Sequence, residues 1–198
     1  MRTNIISFLT LSVAVGMMCA CNGGGQNGDN DSINIVGLDS LPQIVEMEGI
    51  VGDGSSMNQL ELIAPNGDTV YVSTPGEMVM GGVRAGDKMS VVYFVNKDEN
   101  LANVAVNLSA LQHVWTQKGI DGHKQSLELD ANGVAVTYDM NVEYNAWELK
   151  NGCLLLHSPK NVASEKGNIV DTFHIMKLTD EELVLIHGNL ETIFTLDN

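Results

Sequence analysis

The sequence predicts an all-β protein built as two small barrels in tandem. Three observations carry that expectation. Apolar residues alternate with polar ones at period two in short runs, as in Ile44-Val45-Glu46-Met47-Glu48 and Val134-Ala135-Val136-Thr137-Tyr138. Twenty glycines, many in Asn-Gly and Gly-Asp pairs, punctuate the chain where hairpins would turn. The 198 residues are 44% hydrophobic but only 5% aromatic, enough to fill packed cores and too apolar for a wholly disordered chain. The charge excludes one class of partner. Lys and Arg total 10 against 25 Asp and Glu, a net charge of -15, which repels nucleic-acid phosphates and anionic lipid headgroups.

In chain order, Arg2 and the apolar run Ile5 to Val15 read as a secretory signal, since the run is too short for the roughly 20 residues of a spanning helix. Met18-Cys19-Ala20-Cys21 then puts a small residue before a cysteine, followed by polar, glycine-rich Asn22 to Gly28. This arrangement resembles the lipobox of bacterial lipoproteins. The resemblance implies that residues 1–20 are removed and that Cys21 becomes an acylated first residue. Two or three acyl chains anchor stably where one is marginal. Cys19 is the weaker alternative, with Met18 before it, and an ordinary signal with incidental cysteines is the plain one. Residues 21–42 read as a flexible acidic tether. Asn22, rather than the aspartate of inner-membrane retention, favours the outer membrane. In the tether Asp31-Ser32-Ile33 and Asp39-Ser40-Leu41, with Asp68-Thr69-Val70 later, resemble the acceptor pattern of an O-glycosylation system of some Gram-negative anaerobes.

The first module, residues 43–110, offers five strands: Ile44 to Val51, Met57 to Ile63, Thr69 to Ser73, Lys88 to Val95 and Leu101 to Leu108. They look like a small OB-type barrel. Such folds often bind single-stranded nucleic acid through basic grooves and stacked aromatics. Arg84, Lys88 and Lys97 are too few cations for that, so a scaffold or docking role is expected. Gly81 to Gly86 matches no dinucleotide fingerprint and reads as a turn.

The second module, residues 111–198, offers eight strands: Val114 to Gln117, Gln125 to Leu129, Val134 to Met140, Ala146 to Leu149, Cys153 to His157, Val170 to Leu178, Leu183 to His187 and Thr192 to Leu196. Asn132-Gly133 and Asn151-Gly152 are hairpin turns whose central positions accept positive φ. A meander of this length removes its unpaired edges by closing into an up-and-down barrel. Leu111 with Trp115, Ala146-Trp147-Glu148-Leu149, the turn into Leu154-Leu155-Leu156, Asp171 to Ile175 and Leu178 to Leu185 resemble the lipocalin-like domains of envelope lipoproteins. That resemblance implies a small apolar ligand inside the barrel, lined by Trp115, Leu127, Leu129, Val136, Tyr138, Met140, Trp147, Leu154, Leu156, Phe173, Ile175 and Phe194. The same residues also suffice for a filled core with no vacancy. Val134, Val136, Tyr138 and Met140 share one face, from which the lining residues Val136, Tyr138 and Met140 are drawn, and Ala135, Thr137 and Asp139 share the other. Leu154 to Leu156 and Leu183 to Ile186 are apolar on both faces, which calls for a second cover from the first module or a partner protomer.

No catalytic pattern is found: there is no nucleophile elbow, His-Glu-x-x-His, Walker loop or mature Cys-x-x-Cys. His113, His123, His157, His174 and His187 are dispersed, and neither Asp29-Asn30-Asp31 nor Asp180-Glu181-Glu182 has metal-loop spacing. Cys153 is left unpaired and is expected to be a buried, inert thiol. The sequence reading is therefore a non-catalytic lipid-anchored envelope protein without metal or cofactor. Its second barrel either binds a small hydrophobic ligand or serves as a structural or protein-interaction component of the envelope. A calycin-type hydrolase or isomerase is the third reading.

Overall fold

The computed structural model describes residues 42–76, 78–97, 99–159 and 169–196. Cys21, Ser32 and Ser40 lie outside the described residues. The chain from Ser40 onward forms one compact unit, and it is all-β as expected. Among the described residues no helix is long and apolar enough to cross a membrane.

The first barrel comprises β1 (Gln43–Val51), β2 (Gln59–Ile63), β3 (Thr69–Ser73), β4 (Val79–Met80), β5 (Lys88–Val95) and β6 (Asn100–Asn107). Five of them close on themselves in the order β1-β2-β3-β6-β5, antiparallel except at the β3–β6 closure, where Ser73 faces Leu101. This is an OB-like layout. Alternation puts Leu60, Leu62, Val72, Met89 and Val91 inside, where they are buried in one core with Val51, Tyr93 and Ala105. The turns named in the sequence turn as glycine permits. Gly67 and Gly86 have φ of 89° and 90°.

A single turn of helix, α1 (Leu108–Leu111), leads into the second barrel: β7 (Val114–Lys118), β8 (Lys124–Leu129), β9 (Ala135–Tyr138), β10 (Ala146–Lys150), β11 (Cys153–His157), β12 (Val170–Leu178), β13 (Glu182–His187) and β14 (Leu190–Leu196). The strands pair in sequence, and β14 returns to β7 through Thr195↔Thr116 and Leu196↔Trp115. Between β9 and β10 there is no ladder. The seam is held by Trp147 N–H donating to the Gly133 carbonyl at 2.8 Å, and by Trp147 Nε1–H donating to the Asp130 carbonyl at 2.9 Å. The barrel is nearly closed. Asn151 (φ 51°) and Gly152 (φ 74°) form the expected turn with both central residues left-handed. Asn132-Gly133 does not. Only Gly133 (φ 80°) is left-handed, and Asp130 Oδ1 caps the loop by accepting from Asn132 N and Val134 N at 2.8 and 2.7 Å. Those two bonds favour the ionised carboxyl and hold its pKa below the usual aspartate value.

The first barrel covers one end of the second. Val106, Leu108 and Leu111 are buried in the same cluster as Trp115, Leu129 and Leu154, with Met80, Val104 and Ala110 packed against it. At that end Gly81 N donates to Leu178 O at 3.0 Å, Asn151 N to Glu46 Oε1 at 2.5 Å, and exposed Arg84 pairs with Asp180 at 3.1 Å. Asn107, 2% exposed, ties the joint. Its Oδ1 accepts from Ala110 N at 3.0 Å, and its Nδ2 lies 2.7 Å from Asp87 Oδ2 and 3.2 Å from the Gly81 and Gly82 carbonyls.

Candidate ligand-binding site

The inside of the second barrel changes along its strands from one end to the other. Near the first module, Trp115, Leu129, Leu154, Leu183 and Ile175 fill the barrel, and all five are buried. Trp115 Nε1–H donates to the Leu111 carbonyl at 2.9 Å, so the indole enters the core without an orphaned donor. This half is solid. Two residues further toward the opposite end, alternation brings in Leu127, Leu156, Phe173, Leu185 and Phe194, and these surround a cavity of about 190 Å³. Two residues beyond Trp115, Leu127 and Phe194 the inward positions become polar: Gln117, Gln125 and Thr192.

The loop between β9 and β10 supplies the remaining wall, Met140, Asn141, Val142 and Tyr144. Tyr144 O–H donates to Asp171 Oδ2 at 2.7 Å, and its ring meets Phe173 edge-on with centroids 6.4 Å apart. Burial first, and then the Asp171 carboxylate, push the phenol well above the ordinary tyrosine value, so it remains a hydrogen-bond donor. Phe173 is flanked in turn by His187, 5.1 Å away, whose Nδ1 lies 3.0 Å from the Thr172 carbonyl. Outside the cavity is an open vestibule of about 770 Å³ that shares Gln117, Gln125, Asn141, Leu190 and Thr192 with it. Ile120, Leu190 and Ile193 line this vestibule and are well exposed, as is Val142 at the cavity wall. An apolar pocket below a few polar groups is the usual form of a small-molecule site.

The structure sorts the twelve sequence-derived lining residues into three groups. Leu127, Met140, Leu156, Phe173 and Phe194 line the cavity. Trp115, Leu129, Trp147, Leu154 and Ile175 lie in the buried core without lining the cavity. Val136 and Tyr138 are a correction. Register pairs Ala135 with Leu129 and Thr137 with Leu127, so the inner face of β9 carries Ala135 and Thr137. Val136 and Tyr138 point outward, and the half-exposed Tyr138 donates to Glu128 Oε2 at 3.2 Å. The smaller residues sit inside because both tryptophans already fill that region. Met140 regains the interior because Asp139 is left-handed (φ 54°) and breaks the alternation. Sequence reasoning missed Gln117, Gln125, Leu185, Leu190 and Thr192 and the loop residues Asn141, Val142 and Tyr144. The parity of Trp115, Leu127 and Phe194, carried two residues outward, points to three of them.

Elsewhere the titratable groups stay dispersed. His113 packs edge-on against Trp115, and His157 Nε2 lies 3.3 Å from Glu148 Oε1. Among the described residues no group of three or more His, Cys, Asp or Glu could hold a metal ion. Cys153 is only partly buried, which differs from the expectation. It faces away from Leu154, with Sγ 3.4 Å from His174 Nδ1, and burial raises its thiol pKa.

A nearly closed eight-stranded meander with a filled floor and an apolar pocket at its far end defines a small calycin-type barrel. The comparisons agree: residues 108–196 match the lipocalin-like family model, and this part of the chain is a lipocalin-like domain. A crystal structure of a lipocalin-like protein from Bacteroides thetaiotaomicron is similar at 26% identity, over 44% of this chain and 97% of that one, with a TM-score of 0.36. No curated protein gives a significant match.

Proposed function

We propose that this protein is a non-catalytic, lipid-anchored lipoprotein of the cell envelope, held at the outer membrane through Cys21, whose lipocalin-like domain binds a small hydrophobic ligand at the open end of its barrel. The observation that carries the binding reading is the mainly apolar pocket of about 190 Å³ at one end of the barrel, opening past a few polar side chains, which is the usual form of a small-molecule site. The cavity is smaller than the ~300–1,000 Å³ common for drug-sized ligands, so it suits a short chain or the end of a longer one. The anchor reading rests on the Ala20-Cys21 junction and the glycine-rich stretch behind it.

The test uses the secreted full chain carrying Cys21→Ser and an uncharged hydrophobic fluorophore, N-phenyl-1-naphthylamine. Saturable enhancement is expected with one site per chain, and at least a tenfold loss of affinity is expected in Thr192→Phe, which puts a ring into the mouth. Enhancement that is unchanged by Thr192→Phe in a folded protein refutes the site. The anchor is tested by intact mass of protein extracted from its own envelope, with acylation at Cys21 as the expected result. A protein-interaction role is the second reading. It is favoured by the exposed aliphatic side chains at the mouth, Ile120, Val142, Leu190 and Ile193, which suit a docking surface as well as a ligand entrance.

A further inference from the structure

The mouth of the second barrel has a polarity that discriminates among hydrophobic ligands. Its two inward amides form a chain: Gln117 Nε2 donates to Gln125 Oε1 at 3.1 Å, and Gln125 Nε2 donates to the Asp139 carbonyl at 2.9 Å. This geometry fixes both side chains across the β7–β8 pair, where Gln117 and Gln125 are direct neighbours. It also leaves the Gln117 carbonyl oxygen as an acceptor and one N–H of each amide as a donor. Asn141 and Thr192 add further neutral donors and acceptors to the same wall.

The charges nearby point the other way for an anionic ligand. In the vestibule Asp121, Asp139 and Glu191 stand against Lys118, and within the barrel Asp171 already accepts the Tyr144 hydroxyl. No Lys or Arg lines the cavity among the described residues. Among the described residues a carboxylate head in the vestibule would therefore meet three carboxylates against one lysine, a net repulsion. A cationic head is not provided for either. Among the described residues the inward carboxylate, Asp171, already accepts the Tyr144 hydroxyl, and the others line the solvent-filled vestibule, where pairing contributes little.

We propose that the ligand is an uncharged amphiphile, with a short apolar chain in the cavity and a neutral hydrogen-bonding head, such as an amide or alcohol, against the Gln117–Gln125 pair. This rests on reading the cavity as a ligand site. At roughly 30 Å³ for each water-sized group, the cavity holds about six such groups, which sets the buried tail at about six to eight carbons. The vestibule leaves room for the head.

The test titrates octanamide, octanoate and octylammonium, one chain with three heads, into the secreted full chain carrying Cys21→Ser at pH 8, by displacement of N-phenyl-1-naphthylamine and by calorimetry. Octanamide is expected to compete at the dye site, with octanoate and octylammonium at least tenfold weaker. Gln117→Leu is expected to weaken octanamide about tenfold relative to the dye, whose own affinity is measured on the same variant as the reference. If either charged head binds as tightly as the amide, or if Gln117→Leu leaves octanamide unchanged, the head assignment falls and the ligand site stands. If the dye binds but no octyl compound displaces it, the amphiphile class falls. If the dye itself does not bind saturably, the site reading fails with it. The three-head series on the unsubstituted pocket keeps the proposal falsifiable should Gln117→Leu not fold.

Discussion

Removing the amide of Asn107 should weaken both barrels at once. This side chain sits where β6 ends, α1 begins and the Gly81-Gly82 segment turns, and it is almost wholly buried. Asn107→Ala deletes the bond that caps α1 through Ala110 N, a change that typically costs about 0.5–2 kcal/mol. It also removes the donor held 2.7 Å from Asp87 Oδ2, where hydrogen bonds to charged groups contribute about 1.5–3 kcal/mol. The Gly81 and Gly82 carbonyls lose a partner in a part-buried position. Together these give a destabilisation of about 3–5 kcal/mol. At roughly 2–4 °C per kcal/mol for a unit of this size, the melting temperature should fall by roughly 6–20 °C. The assay is urea unfolding followed both by far-ultraviolet circular dichroism and by tryptophan fluorescence. Both tryptophans, Trp115 and Trp147, are in the second barrel, so fluorescence reports that barrel alone. The two signals should shift together, because Val106 of the first barrel belongs to the core of the second. A loss below about 1 kcal/mol, or a shift in circular dichroism with fluorescence unmoved, would refute the reasoning that one buried amide couples the modules. Asn107→Asp keeps the cap acceptor but sets a carboxylate against Asp87. It should be at least as destabilised at pH 7 and should recover in part near pH 4, where the introduced carboxyl can donate.

Two further outcomes follow from backbone and titration geometry. Gly152→Ala forces a Cβ onto a left-handed residue (φ 74°) at 2.5 Å from Val104 Cγ1, whereas Gly188→Ala (φ 61°) meets open space. Left-handed strain alone costs about 1–3 kcal/mol and overpacking adds about 1–3 kcal/mol, so denaturant midpoints should show Gly152→Ala as clearly the worse of the two, and equal losses would rule out the steric contact. Tyr144 keeps its proton in the folded state at pH values where an unfolded tyrosine ionises. The unfolded chain then binds fewer protons than the native one above pH 10, and stability should fall as pH rises from there toward the raised folded value. Tyr144→Phe should flatten that fall, as read by thermal melts between pH 9 and 11, and an unchanged slope would contradict it.

The strand inventory was legible because every strand of ordinary length carries its own signal. Thr69–Ser73, Lys88–Val95, Cys153–His157 and Val170–Leu178 have the ends that alternation and turn residues assign. β4 and α1 were not read. A two-residue strand and a four-residue helix are too short for any period, and what holds them is tertiary: a parallel pairing to Ala105 and Val106, and the Asn107 cap. Alternation gives period but not phase. On β9 the bulkier residues Val136 and Tyr138 looked like the interior set, yet pairing with β8 fixes the opposite face, and only the register to Leu127 and Leu129 decides it. The site was half legible for the same reason. Leu127, Leu156, Phe173 and Phe194 follow from strand parity, but Met140 and Tyr144 reach the cavity through an irregular loop and a left-handed Asp139 that leave no periodic trace.

The arrangement of the two barrels explains why the vacancy lies at one end. The turns Asp130 to Val134, Asn151-Gly152 and Thr179 to Glu181 all lie at the end of the second barrel that meets the first module. Glu46, Val104, Arg84 and Gly81 contact the latter two turns and Leu178. Apolar side chains from β6 and α1 complete the floor, and the interior residues of the second barrel there are buried against it. At the opposite end no element of the first barrel reaches the inward positions. The β9–β10 seam, pinned at Trp147 by two hydrogen bonds, loosens toward Met140 to Tyr144, where among the described residues Tyr144 N–H donates to Thr137 Oγ1 at 3.3 Å. An eight-stranded barrel has an interior just wide enough for side chains to fill it. Here side chains fill the half that the first module supports, and the unsupported half ends in amides and hydroxyls that tolerate water when the cavity is empty.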